Sequence, residues 1–143
     1  MATNIDKEKL AYFAGLFDGE GCVSASIGGC LQVTVGNTVI KPLTLGQKLF
    51  GGSVNGYSRK NRKVCYTWRL CAKNGSNFLQ CILPYLLIKD KQAILGIKFV
   101  LASYHSNERE SIIDDLHKLN GNRGTISRDN LFKMMERKDA NER

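Results

Sequence analysis

Apolar residues recur along this chain with two different periods, and the switches between them mark the elements. Leu10, Phe13 and Phe17 fall at helical spacing and Asp6 is placed to cap them, which predicts a helix over residues 7–18. On the same helix Ala11, Gly15 and Gly19 stand at i, i+4 and i+8, a strip almost without side chains that would admit a second helix backbone to backbone. Gly19 and Gly21 break the pattern. Residues 22–27 then alternate, with Val23, Ala25 and Ile27 directed one way and Cys22, Ser24 and Ser26 the other. Gly28-Gly29 is a hairpin turn, and residues 31–35 return with Leu31, Val33 and Val35 inward and Gln32 and Thr34 outward.

Residues 37–50 read as a helix with Ile40, Leu43 and Phe50 as candidate core. Pro42 suits a first turn, so the helix proper starts near Lys41, and Gly51-Gly52 ends it. Residues 54–57 and 64–72 form a second hairpin around the polar tip 58–63. In it Val64, Tyr66, Trp68 and Leu70 share one face and Cys65, Thr67, Arg69 and Cys71 the other. Three more helices follow. Residues 74–87 carry Phe78, Leu79, Ile82 and Leu83 inward, residues 92–103 have a broad side of Ile94, Leu95, Ile97, Lys98, Phe99 and Leu101, and residues 111–119 close the series. A polar loop (120–124), a short amphipathic stretch (131–137) and a charged tail complete the chain. The order α-β-β-α-β-β-α-α-α predicts the α+β class and one domain over residues 1–143, with 124–143 as a peripheral C-terminal helix and tail.

Composition changes the picture in one respect. Hydrophobic content of 43% and charged content of 24% are those of an ordinary soluble domain. The charge is not balanced: 21 Lys+Arg against 13 Asp+Glu leave +8, which points to a polyanion. No long basic amphipathic helix stands out, so nucleic acid is favoured over a membrane surface. The five cysteines include no C-x-x-C pair, and His105 and His117 lie apart from them. That spacing speaks against a zinc site or a disulfide framework and predicts free thiols. No apolar run reaches membrane-spanning length, and the short polar N-terminus with its acids does not read as a transit peptide.

Chemistry concentrates in two places. Helices on one side of both hairpins would leave an open sheet face bearing Ser24, Ser26, Gln32, Thr34, Asn55, Tyr57, Arg59, Thr67 and Arg69, with Lys60, Arg62 and Lys63 at the tip. Those side chains suit base edges in a DNA major groove, which admits a two-stranded ribbon. The second place is the end of the first helix. Asp18 and Glu20 sit where the helix dipole is negative and gain nothing from it, so a cation is expected beside them. Carboxylates suit Mg²⁺, which takes one or two of them together with phosphate oxygens and water. A single short acidic cluster is thin for phosphodiester hydrolysis unless a two-fold dimer joins two of them, and the small strip gives a reason for that dimer. Lys89, Lys91 and Lys98 are candidate phosphate or water contacts.

Phe13-Ala14-Gly15-Leu16-Phe17-Asp18-Gly19-Glu20-Gly21 resembles the signature of the LAGLIDADG homing endonucleases. The element order and the Leu87-Ile88-Lys89-Asp90-Lys91-Gln92 segment extend the likeness to about Ser103, and it is nearest to the single-motif, homodimeric members found in organellar group I introns. The resemblance implies a site-specific double-strand DNA endonuclease that cuts a pseudo-palindromic site across the minor groove, leaving short 3′ overhangs. It implies Mg²⁺ as cofactor, with Mn²⁺ able to substitute and Ca²⁺ supporting binding without cleavage. Glu20 falls on the metal-binding catalytic acid, where many members have Asp, and the carbonyl of Gly19 helps hold the metal. Asp18 falls on a helix-end cap at the dimer seam with Ala11, Gly15 and Gly19. Lys89 matches the active-site lysine. The water-orienting position falls on Val35, which cannot serve, leaving Asn37 or Gln32; Lys41 is nearest to a further basic position. Arg123, in the polar loop, falls on a phosphate-contacting residue. The resemblance implies a chloroplast or mitochondrial protein. Its rivals are an intron-splicing maturase and a catalytically inactive DNA-binding module of the same fold.

Overall fold

A computed structural model describes residues 4–121. Helix α1 spans Lys7–Glu20, capped at its start by Asp6, whose Oδ1 accepts from the Lys9 N–H at 2.8 Å. That backbone donor holds the Asp6 carboxyl below its ordinary range. α1 passes without a linker into β1 (Gly21–Ser24), which a turn joins to β2 (Gln32–Asn37). Then come α2 (Lys41–Phe50), β3 (Ser53–Tyr57), β4 (Cys65–Cys71), α3 (Ala72–Ile82), a 3₁₀ turn (Leu83–Tyr85), α4 (Asp90–Leu101) and α5 (Asn107–Asn120). The strands make one antiparallel sheet in the order β1-β2-β4-β3, so each hairpin contributes one inner and one edge strand.

The core lies between one face of this sheet and the helices. Val23, Val33, Val35, Trp68 and Leu70 from the strands meet Phe13 and Phe17 of α1, Leu43 of α2, and Phe78, Leu79 and Ile82 of α3, all at most 1% exposed. An aromatic cluster binds these elements together. Phe78 lies edge-on to Trp68, Phe50, Phe17 and Phe13, with centroids 4.9–6.5 Å apart, within the range where ring quadrupoles attract. Trp68 donates its Nε1–H to the Gly51 carbonyl at 2.9 Å, so its one polar atom is satisfied. α2 reaches the indole only because position 46 is glycine: a Cβ there would stand 2.6 Å from Trp68 Cζ3. Gly46→Ala should therefore lower the urea midpoint, with overpacking outweighing the helix-propensity gain by roughly 1–2 kcal/mol.

The expected elements all appear among the described residues, with shifted ends and faces. α1 continues through Glu20, since the Gly21 N–H still donates to the Phe17 carbonyl. β1 stops at Ser24, and Ile27, expected inward, sits in the turn 68% exposed. Ile40 and Val64 are likewise exposed, because each lies just outside its element. α3 ends at Ile82 rather than 87: Pro84 has no N–H for the ladder and disfavours helix in the residue before it. α4 runs two residues earlier than expected and buries Ala93, Gly96 and Phe99 while Ile94 and Leu101 face out. Close approach decides this, since a Cβ at Gly96 would meet Leu79 at 2.9 Å and Val23 at 3.0 Å. α5 starts at Asn107 because Ser106 caps it through the Arg109 N–H. Arg123 and the stretch 131–137 lie outside the described residues.

Candidate active site and nucleic-acid face

Asp18 organises the end of α1. Its Oδ2 accepts from the Leu87 N–H at 2.9 Å, and its Oδ1 from the N–H groups of Ile88 at 3.1 Å and Lys89 at 2.9 Å. These three donors immediately precede α4, where a helix leaves N–H groups unpaired and an anion is favoured. Asp18 is thus satisfied by neutral backbone donors ahead of α4 and not by the expected cation. With both oxygens engaged, Asp18 is a clasp between two helix ends.

The clasp fixes Lys89. Its ammonium donates to the Gly21 carbonyl and lies 5.9 Å from the Phe17 ring centroid. Lys89 is half-buried and Glu20, one residue before that carbonyl, is exposed. The carboxylate of Glu20 is unpaired among the described residues, where Lys9–Asp6 at 3.3 Å is the one ion pair. Lys91 and Lys98 lie exposed along α4, and neither joins this cluster.

Beside the cluster runs the small strip. Ala11, Gly15 and Gly19 are exposed, and a Cβ at Gly15 or Gly19 would touch nothing within 4 Å. Tyr12 (51% exposed), Leu87 (89%) and Ile88 (68%) are also uncovered. Among the described residues no three His, Cys, Asp or Glu side chains converge.

The sheet register separates the water-orienting candidates. Gly21 pairs with Val35, which is buried, and Asn37 lies two residues beyond it at the α1 end of β2. Gln32 pairs with Ser24, three residues or about 10 Å down the ladder. Asn37 is therefore the nearer, but it shares the helix-covered face with Val33 and Val35, and its Oδ1 accepts from the Val39 N–H at 2.9 Å. Its amide N–H₂ edge alone is left for other partners. Lys41 is exposed at the first position of α2.

On the open face the ladder arranges polar side chains in rows across the strands. Cys22, Thr34, Arg69 and Ser53 form one row; Ser24, Gln32 and Cys71 form the next; Thr67 pairs with Asn55 and Cys65 with Tyr57. Ser26 stands just past the end of β1, outside the rows. Ser53 was not among the expected face residues because the strand begins one residue earlier than predicted, although the alternation Ser53-Asn55-Tyr57 carries the signal. At the hairpin tip Tyr57, Arg59, Arg62, Lys63 and Cys65 surround a cavity of about 180 Å³, and Lys60 is exposed beside it. All five cysteines are free thiols. Partial burial and the neighbouring Cys30 push the Cys71 thiol above its ordinary range.

No protein-family model matches the chain, and no curated protein matches it in sequence. Solved structures do. The homing endonuclease I-CvuI, in complex with the I-CreI target in the presence of Mg and with the DNA not cleaved, aligns at a TM-score of 0.65 and 23% identity, over 92% of this chain and 94% of that one. The same enzyme with its own target in the presence of Ca gives 0.64 and 22%, over 91% and 94%. The archaeal intron-encoded homing endonuclease I-Vdi141I, complexed with DNA, gives 0.55 and 11%, over 79% and 97%. Element order, sheet topology and these neighbours agree: the chain has the LAGLIDADG homing endonuclease fold.

Proposed function

We propose that this chain is a homodimeric, Mg²⁺-dependent, site-specific DNA endonuclease of the LAGLIDADG type. One observation carries the reading. The Asp18 clasp brings the Lys89 ammonium to the Gly21 carbonyl, one residue beyond Glu20, beside a helix strip that the described residues leave uncovered. Two protomers packed along Ala11, Gly15 and Gly19 would place two such clusters side by side, one for each strand of a duplex.

The donor set fits a hard divalent ion. Glu20 offers an exposed carboxylate that is unpaired among the described residues, Gly19 offers a backbone carbonyl at the helix end, and phosphate oxygens and water would complete what Mg²⁺ requires. When bound, Mg²⁺ activates water and stabilises the leaving oxygen. Glu20 would hold the ion, Lys89 would steady charge on the scissile phosphate, and the free amide edge of Asn37 would orient water. The open sheet face would lie in the major groove of each half-site, with the basic tip on flanking phosphates. Cutting across the central minor groove would leave short 3′ overhangs.

The test is selection of bound duplexes from a randomised pool in Ca²⁺, followed by addition of Mg²⁺. Both-strand cleavage of the recovered sequence supports the reading, and recovery of no sequence, or no cleavage of a recovered one, overturns it. With that site in hand, Arg69→Ala should cost about 1–3 kcal/mol at one or two base-pair positions in competition binding over singly substituted duplexes. A uniform loss would instead mark Arg69 as a phosphate contact.

A further inference from the structure

A cavity of about 150 Å³ opens past the tip of the β1–β2 hairpin, where Ser26 and Gly28 face the end of α4 and the first turn of α5. At about 30 Å³ per water it has room for a group the size of a few waters. Arg109 is its cation. The guanidinium carbon lies 4.3 Å from the ring centroid of Phe99 and 5.0 Å from that of Tyr104. Phe99 is buried, and hydrogen bonds hold Tyr104 and the Arg109 backbone. The Tyr104 hydroxyl donates to the Gly28 carbonyl at 3.0 Å, and the Arg109 N–H donates to the Ser106 hydroxyl at 3.3 Å.

Rings packed against a guanidinium strip water from it and leave its in-plane N–H groups as the routes for hydrogen bonding. Here the Arg109 Nε–H is buried without a partner among the described residues. No carboxylate pairs with Arg109 there either, although the acidic Glu110 lines the cavity rim. The Nε–H is closed to solvent-sized atoms, so a ligand in the cavity meets this unpaired, pre-positioned cation at its terminal N–H groups. The planar fork of arginine matches the oxygens of phosphate.

Position says which phosphate. β1 is an edge strand of the sheet, so a groove-bound β1–β2 ribbon has sugar–phosphate backbone directly beyond it. We propose that this cavity is a phosphate site, in which Arg109 and the Ser26 hydroxyl take a phosphodiester group of the DNA backbone at the outer edge of each half-site. The proposal rests on the DNA-binding reading above.

The test uses the full chain in Ca²⁺ with the selected duplex and an unrelated duplex, titrated at several salt concentrations. Arg109→Gln should weaken binding to both by the same factor, about fivefold near physiological salt, and lower the salt slope by about one. Arg109→Lys, which keeps the charge, should restore most of the slope. In parallel, inorganic phosphate should shift the Nε–H resonance of Arg109 in the wild-type protein, which needs no variant to fold, whereas chloride at equal ionic strength should not. An unchanged salt slope while the wild type still binds DNA overturns the site and leaves the endonuclease reading standing. Loss confined to the selected duplex makes Arg109 a base contact and overturns it as well. A resonance shift with phosphate but no change in slope assigns the cavity to free phosphate instead of DNA. Failure of the wild type to bind any duplex removes both readings together.

Discussion

Glu20→Gln is expected to abolish double-strand cleavage while leaving DNA affinity in Ca²⁺ within a few-fold of wild type. The substitution keeps the shape of the side chain and removes the charge that a divalent ion requires. Glu20 is exposed and unpaired among the described residues, so the fold loses no contact when the charge goes. Loss of a group that acts directly in the chemistry typically costs about 10²–10⁴ in rate, so single-turnover cleavage in Mg²⁺ should fall by at least about a hundredfold. Nicking at the normal rate would remove Glu20 from the mechanism. Glu20→Asp is the informative companion: it keeps the charge and shortens the reach by one methylene, so partial activity would show that the site tolerates a shift of its ligand.

Asp18→Ala should damage stability and activity together, for a different reason. Three backbone N–H groups lose a charged acceptor at once. Hydrogen bonds to a charged group are each worth about 1.5–3 kcal/mol, but Leu87 and Ile88 are exposed and water replaces part of the loss. A net cost of about 2–3 kcal/mol follows, or very roughly a 6–12 °C fall in melting temperature for a domain of this size. Because the clasp also sets Lys89, cleavage of the surviving folded fraction should drop as well. Asp18→Asn retains one acceptor oxygen and should fall between wild type and Asp18→Ala on both measures. A melting temperature unchanged in Asp18→Ala would show that α4 holds its start without the clasp.

Much of this was legible along the chain, because strand alternation and glycine breaks are local signals. Leu31, Val33 and Val35 bury as their period demands, and the open-face placement of Thr34 and Arg69 follows from parity alone. The faces of α4 were not legible. Hydrophobicity nominates Ile94 and Leu101, but the helix packs through Ala93 and Gly96, where small size lets Leu79 and Val23 come close. The boundary at Ile82 was signalled by Pro84, which the apolar run up to Leu87 obscured. The role of Asp18 could not be read locally at all, since its partners lie 69–71 residues away and are backbone groups with no side-chain identity. For Asn37 the residue type suggested a water contact, and the register showed that half of its amide is spent on a turn.

The direct passage from α1 into β1 has one more consequence. Glu20 is the last residue of the helix and Gly21 the first of the strand, with no connecting loop to absorb displacement. If two such helices lie together at the centre of a complex, each sheet is mounted on the same rigid post as its cutting group. The spacing between the two recognition surfaces would then be a property of the backbone, and the dimer would work as a calliper. A duplex with one extra base pair at its midpoint would present its second half about 3.4 Å too far away and about a tenth of a helical turn out of phase. No side-chain adjustment on the sheet restores both offsets, so drift in the target can be followed position by position across each half but never in its length.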